Sequence, residues 1–265
     1  MFTDTSSSFR TNTGVYYPIV LQEDIRFSGM KTFVPAFLQP LLHLLYPHYC
    51  EGCHTDLLIR ESLLCSRCEF SLPATGYWDI SGNSVEKIFR GRLTIQAAAA
   101  NYFFTQDSLL QHLMQSLKYK NLPEAGKWLG KKMGYALQKT DRFTSIDCII
   151  PLPLHPKKEF IRGYNQAQLI AEGISEVWQK PIIKNAVIRN QFTRTQTHEN
   201  RNSRWNNMQG VFKVVQPEKL EHKHCLLVDD VITTGATLEA CGNEILLVKG
   251  CSLSLAAAAY TAIQP

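Results

Sequence analysis

The sequence predicts an α/β protein, a parallel sheet flanked by helices, with a small four-cysteine module ahead of it. Three observations carry that reading. Residues 225–228 are a short apolar run of the kind that forms a buried parallel strand; Asp229 and Asp230 follow at its expected end, then Thr233, Thr234, Gly235, Ala236 and Thr237, and 238–248 has helical spacing. A second strand, basic loop and helix recur over 145–178. Cys50-x-x-Cys53 and Cys65-x-x-Cys68 stand eleven residues apart, a spacing that aims four thiolates at one ion.

The chain has 265 residues, of which 45% are apolar, enough for one sizeable core with a small appendage. Its net charge is +5. Residues 151–204 hold nine Lys/Arg against four acids, so this segment alone equals the net charge. A pyrophosphate or a nucleic acid suits such a region, and so does a plain solvated face. No apolar run reaches membrane-spanning length. The apolar stretch 33–46 is broken by Pro35, Gln39, Pro40 and His43 and has no small-residue cleavage site behind it, so a cytoplasmic location is expected.

In chain order, residues 1–29 are rich in Ser and Thr without apolar periodicity and read as disordered, with Met30 as an alternative start. Phe37, Leu38, Leu41, Leu42 and Leu45 form a helical stripe suited to docking, bounded by Pro40 and Pro47. With the cysteines it makes a docking-helix and zinc-ribbon module over 30–77. Structural Zn2+ is expected at Cys50, Cys53, Cys65 and Cys68, with disulfides as the alternative; a four-cysteine shell is closed and holds a fold rather than catalysing. Cys148, Cys225, Cys241 and Cys251 sit among apolar residues and read as small core side chains.

Residues 78–92 read as a linker, and 92–265 as the main domain. There, 94–104 is a strand candidate. Leu109, Leu110, Leu113, Met114 and Leu117 mark a helix closed by Lys118, Tyr119 and Lys120, and a second helix runs over about 124–138. The lysines can reach an anion or simply partner the helix dipole. Residues 145–151 form a strand that leads into Lys157, Lys158 and Arg162, with a helix opening at Gly163 and running to Trp178. A short strand is expected at 186–189. Residues 193–207, with Arg194, Arg201, Arg204 and Trp205, are too polar to build core and read as a substrate loop or a nucleic-acid contact. A small-residue strand closes the chain over 251–260.

The stretch from Asp229 to Thr237 combines two carboxylates with a threonine-rich turn at a helix N-terminus, where N–H groups and the dipole suit a phosphate. No Walker A loop occurs. The stretch closely resembles the loop by which type I phosphoribosyltransferases bind 5-phosphoribosyl-1-pyrophosphate (PRPP). Taken with the double Cys-x-x-Cys, Leu117-Lys118-Tyr119, and Pro151-x-Pro153-Leu154 through Arg162-Gly163-Tyr164-Asn165-Gln166, the chain over 30–260 resembles the competence protein F (ComF) family of phosphoribosyltransferase-like proteins. Thr193-x-x-Gln196, Arg204, Asn207 and Gly210-x-Phe212 agree with a further family stretch.

The resemblance implies a type I phosphoribosyltransferase-like sheet and the handling of incoming single-stranded DNA in natural transformation, with DNA-uptake machinery as a further partner. By position, Thr233, Thr234, Gly235, Ala236 and Thr237 cradle a 5′-phosphate, Asp229 and Asp230 hold ribose hydroxyls as the catalytic pair, and Lys157, Lys158 and Arg162 face pyrophosphate. Mg2+ enters with PRPP. Whether glycosyl transfer occurs stays open: a metabolic phosphoribosyltransferase acting on a base or amine, and a PRPP sensor without turnover, are the alternatives.

Overall fold

The computed structural model describes residues 47–57, 62–119, 122–190 and 210–262. The expected disordered extension, the docking stripe and the polar stretch with Arg194, Arg201, Arg204 and Trp205 lie outside the described residues. The described part is an α/β structure built on a parallel sheet. Its elements are α1 (Ser66–Phe70), α2 (Ser84–Phe89), β1 (Ala98–Phe103), α3 (Leu109–Tyr119), α4 (Pro123–Lys139), β2 (Cys148–Pro151), α5 (Pro156–Arg162), α6 (Gln166–Trp178), β3 (Val187–Arg189), β4 (Phe212–Val214), β5 (His224–Ile232), α7 (Ala236–Leu246) and β6 (Ser252–Tyr260).

The main sheet has the order β1-β6-β5-β2, and each neighbouring pair is parallel. The central strands β5 and β6 are apolar on both faces for most of their length, as a sheet covered by helices on both sides requires. On one face Leu226, Val228, Ala256 and Ala258 pack with Leu110, Leu117, Leu129 and Ile170 of α3, α4 and α6. On the other, Leu227, Leu255 and Ala257 pack with Phe89 of α2 and with Leu238 and Ile245 of α7. β3 and β4 form a separate antiparallel pair.

Two helices on the first face meet backbone to backbone. A Cβ on Gly130 of α4 would lie 2.1 Å from the Ile170 carbonyl oxygen, and one on Gly173 of α6 would lie 2.2 Å from the Lys127 carbonyl oxygen. Neither position accepts any side chain, so the two helices lock at closer range than side-chain packing allows.

Residues 78–92, expected as a linker, instead contain α2. Asn83 caps it, its Oδ1 accepting from Val85 N at 2.9 Å and Glu86 N at 3.1 Å. The Asn83 amide donates in turn to the carbonyls of Ile80 and Ala98, both at 2.8 Å. Trp78, Val85 and Phe89 are buried. The short helix has too few turns to display a periodic stripe, which is why its sequence reads as irregular. The loop after β2 likewise contains α5, entered through Pro156 at its first position and closed by Gly163 at φ 80°, so Gly163 ends one helix and the next begins at Gln166.

Candidate functional site

Near the start of the described chain, Tyr49 and Asp56 pair across a tight hairpin, and Leu57 N donates to the His48 carbonyl at 2.7 Å. The hairpin and the segment leading into α1 bring Cys50, Cys53, Cys65 and Cys68 together, with their sulfurs all within 4.8 Å of one another. The four are free thiols; Cys53 Sγ and Cys65 Sγ are 3.6 Å apart. Burial opposes charge on Cys50, but backbone N–H donors outweigh it and lower its pKa: Cys65 N lies 3.2 Å and Gly52 N 3.4 Å from Cys50 Sγ. Thr55 draws Cys53 down to about 6, whereas burial pushes Cys68 up. N–H donors aimed at sulfur favour the thiolate, the form that binds metal. Four sulfurs this close together fit one tetrahedral Zn2+. Cys50, Leu57, Leu63, Leu64 and Cys68 share one buried cluster with Leu110 and Leu113 of α3, so the cysteine hairpin is part of the same core as the sheet.

The second candidate lies at the carboxyl edge of the sheet. β5, expected to end where Asp229 and Asp230 stand, continues to Ile232, because Val231 and Ile232 still pair with Ala259 and Tyr260 of β6. β2 pairs with β5 only as far as Val228, where Leu152 N donates to the Val228 carbonyl at 2.8 Å. Asp229 and Asp230 therefore stand on a strand that has lost one neighbour, beside the loop that carries α5.

Successive residues of a strand face opposite sides of the sheet. Asp230 faces α3, where Lys118 Nζ lies 2.5 Å from its Oδ2. Burial works against the charge on Lys118, but Asp230 and then Asp229 outweigh it and hold the amine above its ordinary value. Asp229 faces the side of α7 and β3, where it interacts electrostatically with Arg189. Desolvation and the adjacent Asp230 charge push the Asp229 carboxyl up to about 8. The two acids thus stand on opposite faces of the sheet, Asp230 paired with Lys118 and Asp229 near Arg189.

The turn after β5 leads into α7 through Gly235 at φ 74°. That conformation suits glycine, and a Cβ there would also lie 2.8 Å from Phe89 Cε1 and 2.9 Å from Ile88 Cγ2 of α2. Arg92 braces the turn from the same side: its Nη1 donates to the Thr234 carbonyl at 3.0 Å and to the Ile88 carbonyl at 3.1 Å, and its Nη2 pairs with Glu239 of α7. The first N–H groups of α7, at Ala236, Thr237 and Leu238, have no acceptor within the helix, as at any helix start. Thr233 is exposed, and Thr234 and Thr237 are half-buried.

Of the expected cations, Lys157 is exposed on α5, while Lys158 and Arg162 are half-buried. Burial lowers the Lys158 pKa, and Arg189, Arg162 and Lys118 add to it in that order, which places four cations from α3, α5 and β3 within electrostatic reach of one another. Arg162 Nη1 donates to Gln166 Oε1 at 2.8 Å, and its guanidinium lies over the Tyr119 ring at 5.7 Å from the centroid. Asn165 caps α6 through Ala167 N at 3.0 Å and donates to the Leu152 carbonyl at 3.0 Å, tying the loop to β2. Arg92 and Arg189 had no role in the sequence reading; Lys118 was noted there as a lysine within reach of an anion. A cavity of about 460 Å3 lined by Gly91, Leu93, Asn243 and Leu247, with Arg92 on its wall, lies at the far end of α7 and touches none of the expected ligand residues.

No protein-family model matches the chain. It is 28% identical over 205 residues to competence protein F of Haemophilus influenzae, a match spanning 74% of this chain and 88% of that protein. It is 27% identical over 140 residues to DNA utilization protein YhgH of Escherichia coli K12, spanning 52% of this chain and 61% of that protein. Among solved structures, a Bacillus subtilis glutamine PRPP amidotransferase complexed with ADP and GMP overlays with a TM-score of 0.37 at 17% identity, covering 55% of this chain and 30% of that one. Adenine phosphoribosyltransferase from Leishmania tarentolae overlays with a TM-score of 0.35 at 12% identity, covering 72% of this chain and 94% of that one.

Proposed function

We propose that this homologue of competence protein F works in DNA uptake and use, and that the carboxyl edge of its sheet binds PRPP with Mg2+. The observation that carries the reading is the meeting at one strand end of Asp229 and Asp230, the glycine-started helix α7, and cations from three other elements. The names of the curated relatives, competence protein F and DNA utilization protein, support the role in DNA uptake.

In this reading the turn 233–237 takes the 5′-phosphate on the N–H groups and hydroxyls at the start of α7. Asp230 and Asp229 hold the ribose hydroxyls. Lys158, Arg162 and Lys118 neutralise pyrophosphate, with Lys157 at the rim. Mg2+ supplies charge neutralisation on the phosphates and is held chiefly by the ligand. The chemistry open to such a site is displacement of pyrophosphate at the anomeric carbon. This chain's residues contribute position and charge stabilisation, and no covalent nucleophile is needed. The four cysteines hold Zn2+ and brace α3, whose last turn carries Lys118.

Single-stranded DNA is the proposed macromolecular partner, bound through phosphates by Lys157, Lys158 and Arg162, with Arg194, Arg201, Arg204 and Trp205 assigned to the same face from sequence. Calorimetric titration with PRPP, with and without Mg2+, tests the small-ligand site; absence of Mg2+-dependent binding overturns it. Pyrophosphate release with single-stranded DNA or with free bases then reads turnover. Release with a free base and none with DNA would move the chain to the metabolic transferases. DNA affinity should fall with salt by about 0.7 log units per phosphate contact for each log unit of salt.

A further inference from the structure

At the sheet edge opposite the candidate site, three thiols stand in a row. Cys148 and Cys225 are register partners at the starts of β2 and β5, with their sulfurs 3.6 Å apart. Cys251, just before β6, has its sulfur 3.6 Å from Cys225 on the other side. Cys148 and Cys225 have no exposed surface, whereas Cys251 is half-buried and reached by solvent. Of the five other cysteines of the described chain, four form the metal cluster and the fifth, Cys241 of α7, is fully buried.

We propose that Cys251, Cys225 and Cys148 form a thiol relay that takes up one peroxide equivalent at Cys251 and resolves it as a Cys225–Cys251 disulfide. The Cys251 thiolate attacks one oxygen of a hydroperoxide; the O–O bond breaks, sulfur is oxidised to the sulfenic acid, and water or an alcohol leaves. The Cys225 sulfur then attacks Cys251 Sγ, the S–O bond breaks, and the hydroxyl leaves as water with the Cys225 proton. Cys148 can attack Cys225 in turn, moving the disulfide inward and returning Cys251 as a thiol. Each step needs sulfurs to close from 3.6 Å to about 2.0 Å, which side-chain rotation and small strand shifts supply. The Cys225 thiol beside it lowers the Cys251 pKa against the opposing effect of burial, while its two sulfur neighbours and burial push Cys225 up, so the solvent-reached Cys251 is the thiol favoured as thiolate. The relay is independent of the ligand reading above, since it lies on the other edge of the sheet.

The test treats the full-length, metal-loaded chain with hydrogen peroxide, alkylates it under denaturing conditions without reductant, and maps the peptides by mass spectrometry with fragmentation. The expected product links Cys225 to Cys251, with Cys148–Cys225 appearing later. Cys251→Ser should lose both links, and Cys225→Ser should leave Cys251 as a sulfenic acid that dimedone labels. Recovery of Cys225 and Cys251 as fully alkylated thiols, at a peroxide dose that already oxidises the zinc cysteines, overturns the relay. So does a Cys148–Cys225 link that persists in Cys251→Ser. The mapping of the unmutated chain stands by itself should a variant fail to fold.

Discussion

The cysteine hairpin and the carboxyl edge of the sheet solve opposite problems with short stretches of chain. The hairpin gathers four sulfurs from residues 50–68, with backbone N–H groups of that same span aimed at Cys50 and Thr55 beside Cys53. The carboxyl edge gathers acids and cations from β5, α3, α5 and β3, with a brace, Arg92, that lies 142 residues from the carbonyl it holds. The first site is local, and any fold with that spacing could carry it. The second exists only once the sheet has formed. Local sites should therefore fail by losing their ion, and assembled sites by losing one of several distant supports.

Metal removal is the strongest way to test the contrast. Binding of structural Zn2+ is worth on the order of 10 kcal/mol in small zinc peptides, so a strong chelator, or Cys53→Ser, should release the metal and lower the melting temperature. Because the cysteines share a core with Leu110 and Leu113, the loss should spread into α3 and weaken the site at Lys118. Metal analysis with thermal unfolding checks this; an unchanged melting point in a metal-free chain would make the hairpin an independent module.

Next in size is the acid pair. Changing Asp229 and Asp230 together to Asn should cost PRPP binding about 2–5 kcal/mol, to below detection by calorimetry, while circular dichroism stays unchanged. The apolar part of β5 is untouched by the change. Retained affinity would sink the assignment.

Gly235→Ala tests the assembled support directly. The positive φ and the collision with Phe89 and Ile88 should together cost about 1–3 kcal/mol of stability and displace the turn. Phe89→Ala combined with Gly235→Ala should recover part of the steric loss but none of the backbone strain, and a double-mutant cycle on melting measures the split.

The smallest effect is a pH dependence. Asp229 holds its proton up to about 8 in the folded chain against an ordinary value of 3.8, so between those values the folded state binds more protons than the unfolded one. Stability therefore falls as pH rises through that window. Asp229→Asn should flatten the fall and add on the order of 2 kcal/mol at pH 8, with solvent access discounted. Urea unfolding at pH 5 and pH 8 reads both; a stability that rises with pH in the parent chain and is unaltered by the substitution would place Asp229 as an ordinary ionised acid.

How much was legible follows from the same contrast. The cysteines announced themselves by covalent spacing, and the Asp-Asp and Thr-Thr-Gly stretch by its order along one strand and turn. The parallel sheet was legible from β5 and β6, whose apolar runs have no polar face. α2 and α5 were not, because helices of six and seven residues are too short to repeat an apolar stripe. Arg92 and Arg189 looked like ordinary surface charges, since what they touch is set by tertiary contacts rather than by neighbours in sequence. Even the divergence of Asp229 from Asp230 required knowing that β5 runs on to Ile232.

The contact between Gly130 and Gly173 gives the loop with α5 an unusual footing. α6 starts where that loop ends, and its backbone is wedged against α4 with no side chain between to act as a cushion. A helix held that way has no soft direction in which to slide. Any adjustment of Lys157, Lys158 and Arg162 to a ligand must then be taken up in backbone torsions at 152–155 and 163–165, while α6 stays still. In amide hydrogen exchange this would appear as a sharp step: slow exchange in the middle of α4 and α6, persisting up to the second turn of α6, and fast exchange one residue group earlier, with the ligand slowing only the fast side.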